Sequence, residues 1–150
     1  MVMARLPRVT IVLGTRPEAI KLAPVIQEFR ACKSLETRVV LTGQHREMVS
    51  QVMDLFGLSA DLDLNLMTPR QTLTHVTCAA LQGLRDDFQA FPPKLVLVQG
   101  DTTTAFAAAL SAFEPNRGLS VEAAPTSATE ELLISQRGGG SRGGGSRGGG

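Results

Sequence analysis

Three features of the sequence predict an α/β fold built on a Rossmann-like parallel sheet. Residues 9–13 and 95–98 are short apolar runs without alternation, the pattern of strands covered on both faces. Each run leads into a glycine-marked turn, at Gly14 and Gly100, and then into a stretch with helical periodicity. This strand-turn-helix unit recurs through residue 113, which implies an open sheet with right-handed crossovers.

The elements follow in order. After the first strand, "GTRPEAIKLAPVIQEF" opens a helix: Thr15 and Glu18 have capping-box spacing and Pro17 suits the first turn. Its apolar positions are Ile20, Ala23, Ile26 and Phe29, and Pro24 is expected to kink it. "TRVVLTG" is a second strand. Residues 45–56 form a second helix with Met48, Val52, Leu55 and Phe56 on one face and Gly57 as its stop. "DLDLNLM" alternates strictly, as a short half-exposed strand or an extended connection does. Residues 71–88 read as a third helix with Leu73, Val76, Ala80, Leu84 and Phe88 inward, and residues 103–113 as a fourth.

Composition changes after Phe113. Residues 1–113 form the Rossmann-like unit and residues 114–136 are divergent, with "ATEELLIS" as their one helical hint. Residues 137–150 are a Gly/Ser/Arg repeat that buries no core and is expected to be a disordered tail. Its three arginines lack interleaved aromatics, so a linker is favoured over an RNA-binding segment.

Charge and hydropathy exclude several classes. Lysine and arginine total 15 against 14 acids, which carries neither a nucleic-acid footprint nor a membrane-surface patch. No apolar run reaches membrane-spanning length and the N-terminus lacks a leader-cleavage pattern, so a cytoplasmic location is expected. Cys32 and Cys78 fall in helical segments without metal-ligand spacing and read as reduced structural thiols, with no metal site.

In an open parallel sheet, ligands bind beyond the carboxyl ends of the strands. Three polar clusters belong at that edge: Gly14-Thr15-Arg16, Gly43-Gln44-His45-Arg46 and Gly100-Asp101-Thr102. A helix N-terminus with Arg16, and with Lys21 one turn further on, suits an anion, although the same residues also fit a capped turn with a solvated arginine. Asp101 fits two roles, a helix N-cap or a carboxylate for proton transfer or sugar hydroxyls. Thr102 caps equally well, which leaves the choice open. His45 fits a surface or capping histidine, and Arg70 and Gln71 fit either an anion site or solvent. Neither a P-loop nor a GxGxxG fingerprint is present.

"GTRPEAIKLAP", "TGQHREM", "DLNLMTPRQTL" and "VLVQGDTTTAFAAALSAF" together resemble the N-terminal portion of the non-hydrolysing UDP-N-acetylglucosamine 2-epimerases, from about Arg8 to Phe113. The resemblance implies one incomplete domain of a two-domain glycosyltransferase-B fold whose active site lies in the cleft between domains. It implies a cytoplasmic, homodimeric isomerase of cell-envelope polysaccharide biosynthesis. Such an enzyme interconverts UDP-GlcNAc and UDP-ManNAc without a redox cofactor, by expelling UDP and adding it back to a glucal-type intermediate. By resemblance, Arg16 and Lys21 hold the nucleotide-sugar phosphates and Asp101 is an active-site carboxylate. Gln44, Glu47 and Arg70 fall near a regulatory UDP-GlcNAc site. The family continues with "GHVEAGLRT" and a "PEE-NR" segment, each carrying an active-site glutamate. Here Glu122 echoes the first, but Ser120 replaces its histidine and Gly-Leu-Arg is missing; Glu130 or Glu131 echoes the second more weakly. Without the family's next strand, residues 95–98 are expected to be an uncovered edge. A catalytically inactive truncated or frameshifted fragment, at most a nucleotide-sugar-binding module, is the alternative expectation.

Overall fold

The computed structural model describes residues 5–113, 120–124 and 133–135. In chain order the elements are β1 (Arg8–Leu13), α1 (Arg16–Ala31), β2 (Glu36–Leu41), α2 (Arg46–Leu55), β3 (Leu62–Asp63), α3 (Leu73–Ala90), β4 (Leu95–Gln99), α4 (Thr103–Phe113), β5 (Ser120–Ala124) and β6 (Leu133–Ser135). The strands form one sheet in the order β3-β2-β1-β4-β5-β6, parallel throughout except for the antiparallel β6. The chain therefore winds one way from β1 through β3 and the other way from β4 to β5. The reversal places a topological switch point between β1 and β4, where a crevice opens at the strand ends.

Consecutive strand residues feed opposite layers, which is why the strands carry no polar alternation. Ile11, Leu13, Val39 and Leu41 join Ala19, Leu22, Ala23 and Ile26 of α1 and Val49, Val52 and Met53 of α2. Val12, Val40, Val96 and Val98 join Ala80, Leu84 and Phe88 of α3 and four alanines of α4.

Ala23 and Ile26 of α1, Val52 of α2, and Ala80, Leu84 and Phe88 of α3 are buried as expected, and other positions differ. On α1, Ala19, Leu22, Ala23 and Ile26 face the sheet, while Ile20 is 46% exposed. The contact line alternates alanines with Leu22 and Ile26, and Ile20 falls outside it. On α2 the buried stripe is Val49, Val52 and Met53, leaving Met48 exposed and Leu55 82% exposed. On α3 the inward line begins after the first turn, so Leu73 is exposed. Pro24 lies within α1, which continues to Ala31.

Two further expectations are corrected. The β4 edge is not uncovered, since β5 pairs with it in parallel from Leu95↔Ser120 to Gln99↔Ala124. Leu133–Ser135, part of the helical hint, is strand β6. Residues 125–132, including Glu130 and Glu131, and the tail at 137–150 lie outside the described residues. No described helix is long and apolar enough to cross a membrane.

The end of the sheet opposite the crevice is closed by ion pairs. Asp87, 5% exposed, receives Arg38 through both Nε and an Nη 2.6 Å away, and the nearby carboxylate raises the Arg38 pKa above its ordinary value. The Arg38 guanidinium stacks 4.0 Å from the centre of the Phe91 ring.

Candidate functional site

The β1–α1 and β4–α4 turns flank the switch point, and one buried carboxylate joins them. Glu18 sits in the first turn of α1 and is 2% exposed. Its Oε2 accepts from the backbone N–H of Gly14 at 2.6 Å and of Thr15 at 2.7 Å. Its Oε1 accepts from the Thr102 hydroxyl across the crevice. The capping box read from the sequence is thus present, with an additional partner 84 residues away. One consequence alters the anion site: the Gly14 and Thr15 N–H groups are taken by Glu18, and Pro17 has none. An anion at this helix end must rely on the Arg16 side chain, the remaining amides of the first turn and the helix dipole. Arg16 and Lys21 are both exposed on α1.

The open question at Asp101 is resolved in favour of Thr102 as the cap. Thr102 Oγ1 accepts from the Ala105 backbone N–H at 3.1 Å, fixing the N-terminus of α4, while its proton goes to Glu18. Asp101 is exposed and has no hydrogen-bond partner among the described residues. Gly100 before it has φ +85°, a turn that glycine adopts without steric cost. Gln99, last in β4, is 3% exposed, and its Nε2 has no partner among the described residues.

The β2–α2 turn forms the next part of the edge. The Thr42 and Thr104 hydroxyls lie 2.9 Å apart, and Thr104 donates to Gln44 Oε1 at 3.2 Å. Gly14 rests against this pair so closely that a Cβ would fall 2.0 Å from Thr104 Oγ1. His45 is exposed, and its backbone N–H donates to Gly14 O at 2.9 Å. Arg46 is paired with Asp63 and Asn65, at 3.2 Å each, and Glu47 is exposed in the first turn of α2. Arg70 is exposed with φ +66°, ahead of α3, which Thr72 caps through the His75 N–H. Gln71 is a loop brace: it accepts from the Thr68 N–H at 2.7 Å and donates to Leu66 O at 2.9 Å.

Glu122 lies within β5, level with Leu97 and two positions before the strand ends, rather than in a turn at the edge. Among the described residues no group of three or more His, Cys, Asp or Glu has an arrangement able to hold a metal ion. Cys32 and Cys78 are free thiols, half-buried and exposed respectively. Sequence patterns did not single out Thr42, Thr104 or Gln99. The one hint was the density of hydroxyl residues around the glycines at strand ends.

A parallel sheet with a glycine turn, a cationic helix start and an uncommitted carboxylate at its switch point defines an α/β protein of the Rossmann-like type. Comparison with known proteins makes this specific. The sequence profile of UDP-N-acetylglucosamine 2-epimerase matches residues 27–117, and the chain belongs to that family. It is 51% identical over 106 residues to the UDP-N-acetylglucosamine 2-epimerase of Neisseria meningitidis, covering 71% of this chain and 28% of the relative. To the Salmonella borreze enzyme it is 49% identical over 109 residues, 73% of this chain and 29% of the relative. The chain thus spans less than a third of these relatives' length. Among solved structures, the Neisseria meningitidis enzyme bound to UDP-GlcNAc superposes with a TM-score of 0.71 at 47% identity, covering 77% of this chain and 31% of that one. The S. aureus protein solved with UDP superposes with a TM-score of 0.73 at 39% identity, over 79% and 30%. These neighbours have the glycosyltransferase-B type of fold.

Proposed function

We propose that the chain carries the phosphate-and-proton side of a UDP-N-acetylglucosamine 2-epimerase site, which interconverts UDP-GlcNAc and UDP-ManNAc. One observation carries this most directly: Thr102 caps α4, so the Asp101 carboxylate stands exposed across the switch point from Arg16 with no capping task. The bound UDP-GlcNAc and UDP of the Neisseria and S. aureus relatives support the ligand class.

The chemistry assigns the roles. The C1–O bond breaks and its electron pair leaves on the β-phosphate oxygen of UDP. The C2 proton passes to a base, and a C1–C2 double bond forms. Returning UDP to C1 with a proton delivered to the other face of C2 gives the epimer. Arg16 and Lys21 stabilise the charge that gathers on the diphosphate. Asp101 moves the proton or holds the sugar hydroxyls for elimination. Glu122 is a further acid/base candidate, and Gln44, Glu47 and Arg70 form a second, regulatory nucleotide-sugar site. The setting we propose is a cytoplasmic homodimer serving cell-envelope polysaccharide synthesis. A second reading follows from the span of the match: residues 1–150 alone bind UDP-GlcNAc without turning it over.

Both readings are tested by incubating UDP-GlcNAc in D2O with this chain, and with a Neisseria meningitidis enzyme whose matched segment is replaced by residues 8–113. The chimera is expected to place deuterium at C2 and to lose about 100-fold or more of that activity with Asp101→Asn. The chain alone is expected to bind without exchange. A folded chimera that is inactive, or one indifferent to Asp101→Asn, would refute the assignment.

A further inference from the structure

Thr42, Thr104 and Gln44 form a hydrogen-bond chain whose direction is fixed by proton count. A threonine hydroxyl has one proton to donate. Thr104 gives its proton to Gln44 Oε1, so Thr42 must be the donor in the 2.9 Å contact between the two hydroxyls. Both threonines are buried, at 3% and 2% exposure, and Gly14 is packed onto the pair, so water does not compete for these bonds. Gln44 is half-buried at the rim. With Thr104 bound to Oε1, the two Nε2 protons are turned away from the hydroxyls and have no acceptor among the described residues. All three residues line a shallow surface depression that encloses no water-sized space, walled on the other side by Leu66, Met67 and Val76.

We infer that Thr104 is a positioning residue: its hydroxyl holds the Gln44 amide so that the N–H pair faces the depression and donates to an oxygen of a nucleotide sugar. The inference rests on the nucleotide-sugar reading above, to which it adds how one ligand-binding group is oriented. Without the hydroxyl, the amide is free to turn and to present oxygen to an oxygen-rich ligand, which repels it. Thr104 also lies in the first turn of α4, so the orientation of Gln44 and the placement of Asp101 depend on one helix terminus.

Two measurements on the 150-residue chain test this. In the absence of ligand, the ¹⁵N order parameter of Gln44 Nε2 should be high, fall on Thr104→Val and recover with Thr104→Ser. An order parameter that Thr104→Val leaves unchanged overturns the positioning role. In calorimetric titration with UDP-GlcNAc, Thr104→Val should weaken binding about 3- to 10-fold, the scale of one neutral hydrogen bond, and Thr104→Ser should restore it. Adding Thr104→Val to Gln44→Ala should weaken binding no further, because the threonine acts through the glutamine. Multiplying effects in the double variant would overturn the inference. Gln44→Glu keeps an acceptor for Thr104 but removes the donor, so it should lower affinity at least tenfold even if Thr104→Val does not fold. Wild-type binding by the Gln44→Glu variant would refute the donor role. If the wild-type chain fails to bind UDP-GlcNAc while Gln44 Nε2 is rigid and Thr104-dependent, the nucleotide-sugar reading falls and the positioning stands.

Discussion

Removing the Glu18 carboxylate should separate the two turns at the switch point. Three donors converge on it: the Gly14 and Thr15 N–H groups, at 2.6 and 2.7 Å, and the Thr102 hydroxyl. In Glu18→Ala, the two backbone donors are left at a site where Gly14, Thr15 and residue 18 are all buried. An unsatisfied buried donor costs about 1–3 kcal/mol, and the hydroxyl can turn to another acceptor, so a loss of about 3–5 kcal/mol is expected. That is a large fraction of the roughly 5–15 kcal/mol that holds a typical domain. Glu18→Gln is milder. Its oxygen can still accept from both N–H groups, and its amide nitrogen can donate to Thr102, which retains a free lone pair. Charge assistance is lost and the Thr102 proton must turn to another acceptor, together about 1–2 kcal/mol. Urea unfolding of the three proteins gives both differences from midpoint shifts at constant slope. An Ala variant within about 1 kcal/mol of wild type would show that the carboxylate does not hold the turns, and the argument for a fixed Asp101 would fail with it.

Further perturbations test neighbouring steps. Thr102→Ala should lower stability by about 1 kcal/mol or more through loss of the α4 cap, whereas Asp101→Ala should stay within about 0.5 kcal/mol, both read by thermal melting. Equal losses would return the capping role to Asp101. Gly14→Ala puts a Cβ 2.0 Å from Thr104 Oγ1 and 2.7 Å from Thr42 Oγ1, so it should destabilise by about 1–3 kcal/mol or more, and a neutral melting shift would contradict the close approach. The Cys32 thiol is held below its ordinary pKa, chiefly by the Ser34 hydroxyl 3.1 Å away and then by the Ser34 backbone. More thiolate is therefore present near neutrality, so the iodoacetamide rate of Cys32 should rise at lower pH than that of a free thiol, and Ser34→Ala should move the profile to higher pH. An unmoved profile would remove the serine as the cause.

The sheet was legible because its strands are apolar on both faces. Ile11 and Val12 enter opposite layers, and only a doubly covered strand requires both. Helix α4 matched residue for residue because its turn and its apolar end are both marked locally. The helix faces were less legible. Ala23 and Ile26 of α1 were legible, whereas Ala19 and Leu22 were missed because a pattern anchored on Ile20 is shifted by one to two positions from the buried line. The choice of cap at α4 was undecidable from composition, since Asp101 and Thr102 both cap. It is settled by Thr102, which accepts from the Ala105 N–H and gives its proton to Glu18, a distant partner no local pattern can reveal. Strand order was equally hidden. The sequence places three polar turns on one edge, but only the β1–β4 adjacency makes two of them walls of one crevice.

The two ends of this sheet divide stability from chemistry, and the polar groups show the division. At the amino-terminal end, charges are matched: Arg8 meets Glu36 at 2.9 Å, and Arg38 meets Asp87 and stacks on Phe91. Breaking the buried Arg38–Asp87 pair from one side would leave a charge without its partner, which costs far more than the pair contributes. At the carboxyl-terminal end the matching stops short. Glu18 and Thr102, and likewise Thr42 and Thr104, are satisfied by one another, while beside them Arg16 and Asp101 are exposed and the Gln44 amide protons have no acceptor among the described residues. Under the nucleotide-sugar reading proposed above, a cation, a carboxylate and an amide donor left without a partner among the described residues suit a ligand with anionic and hydroxyl oxygens. A nucleotide sugar carries both.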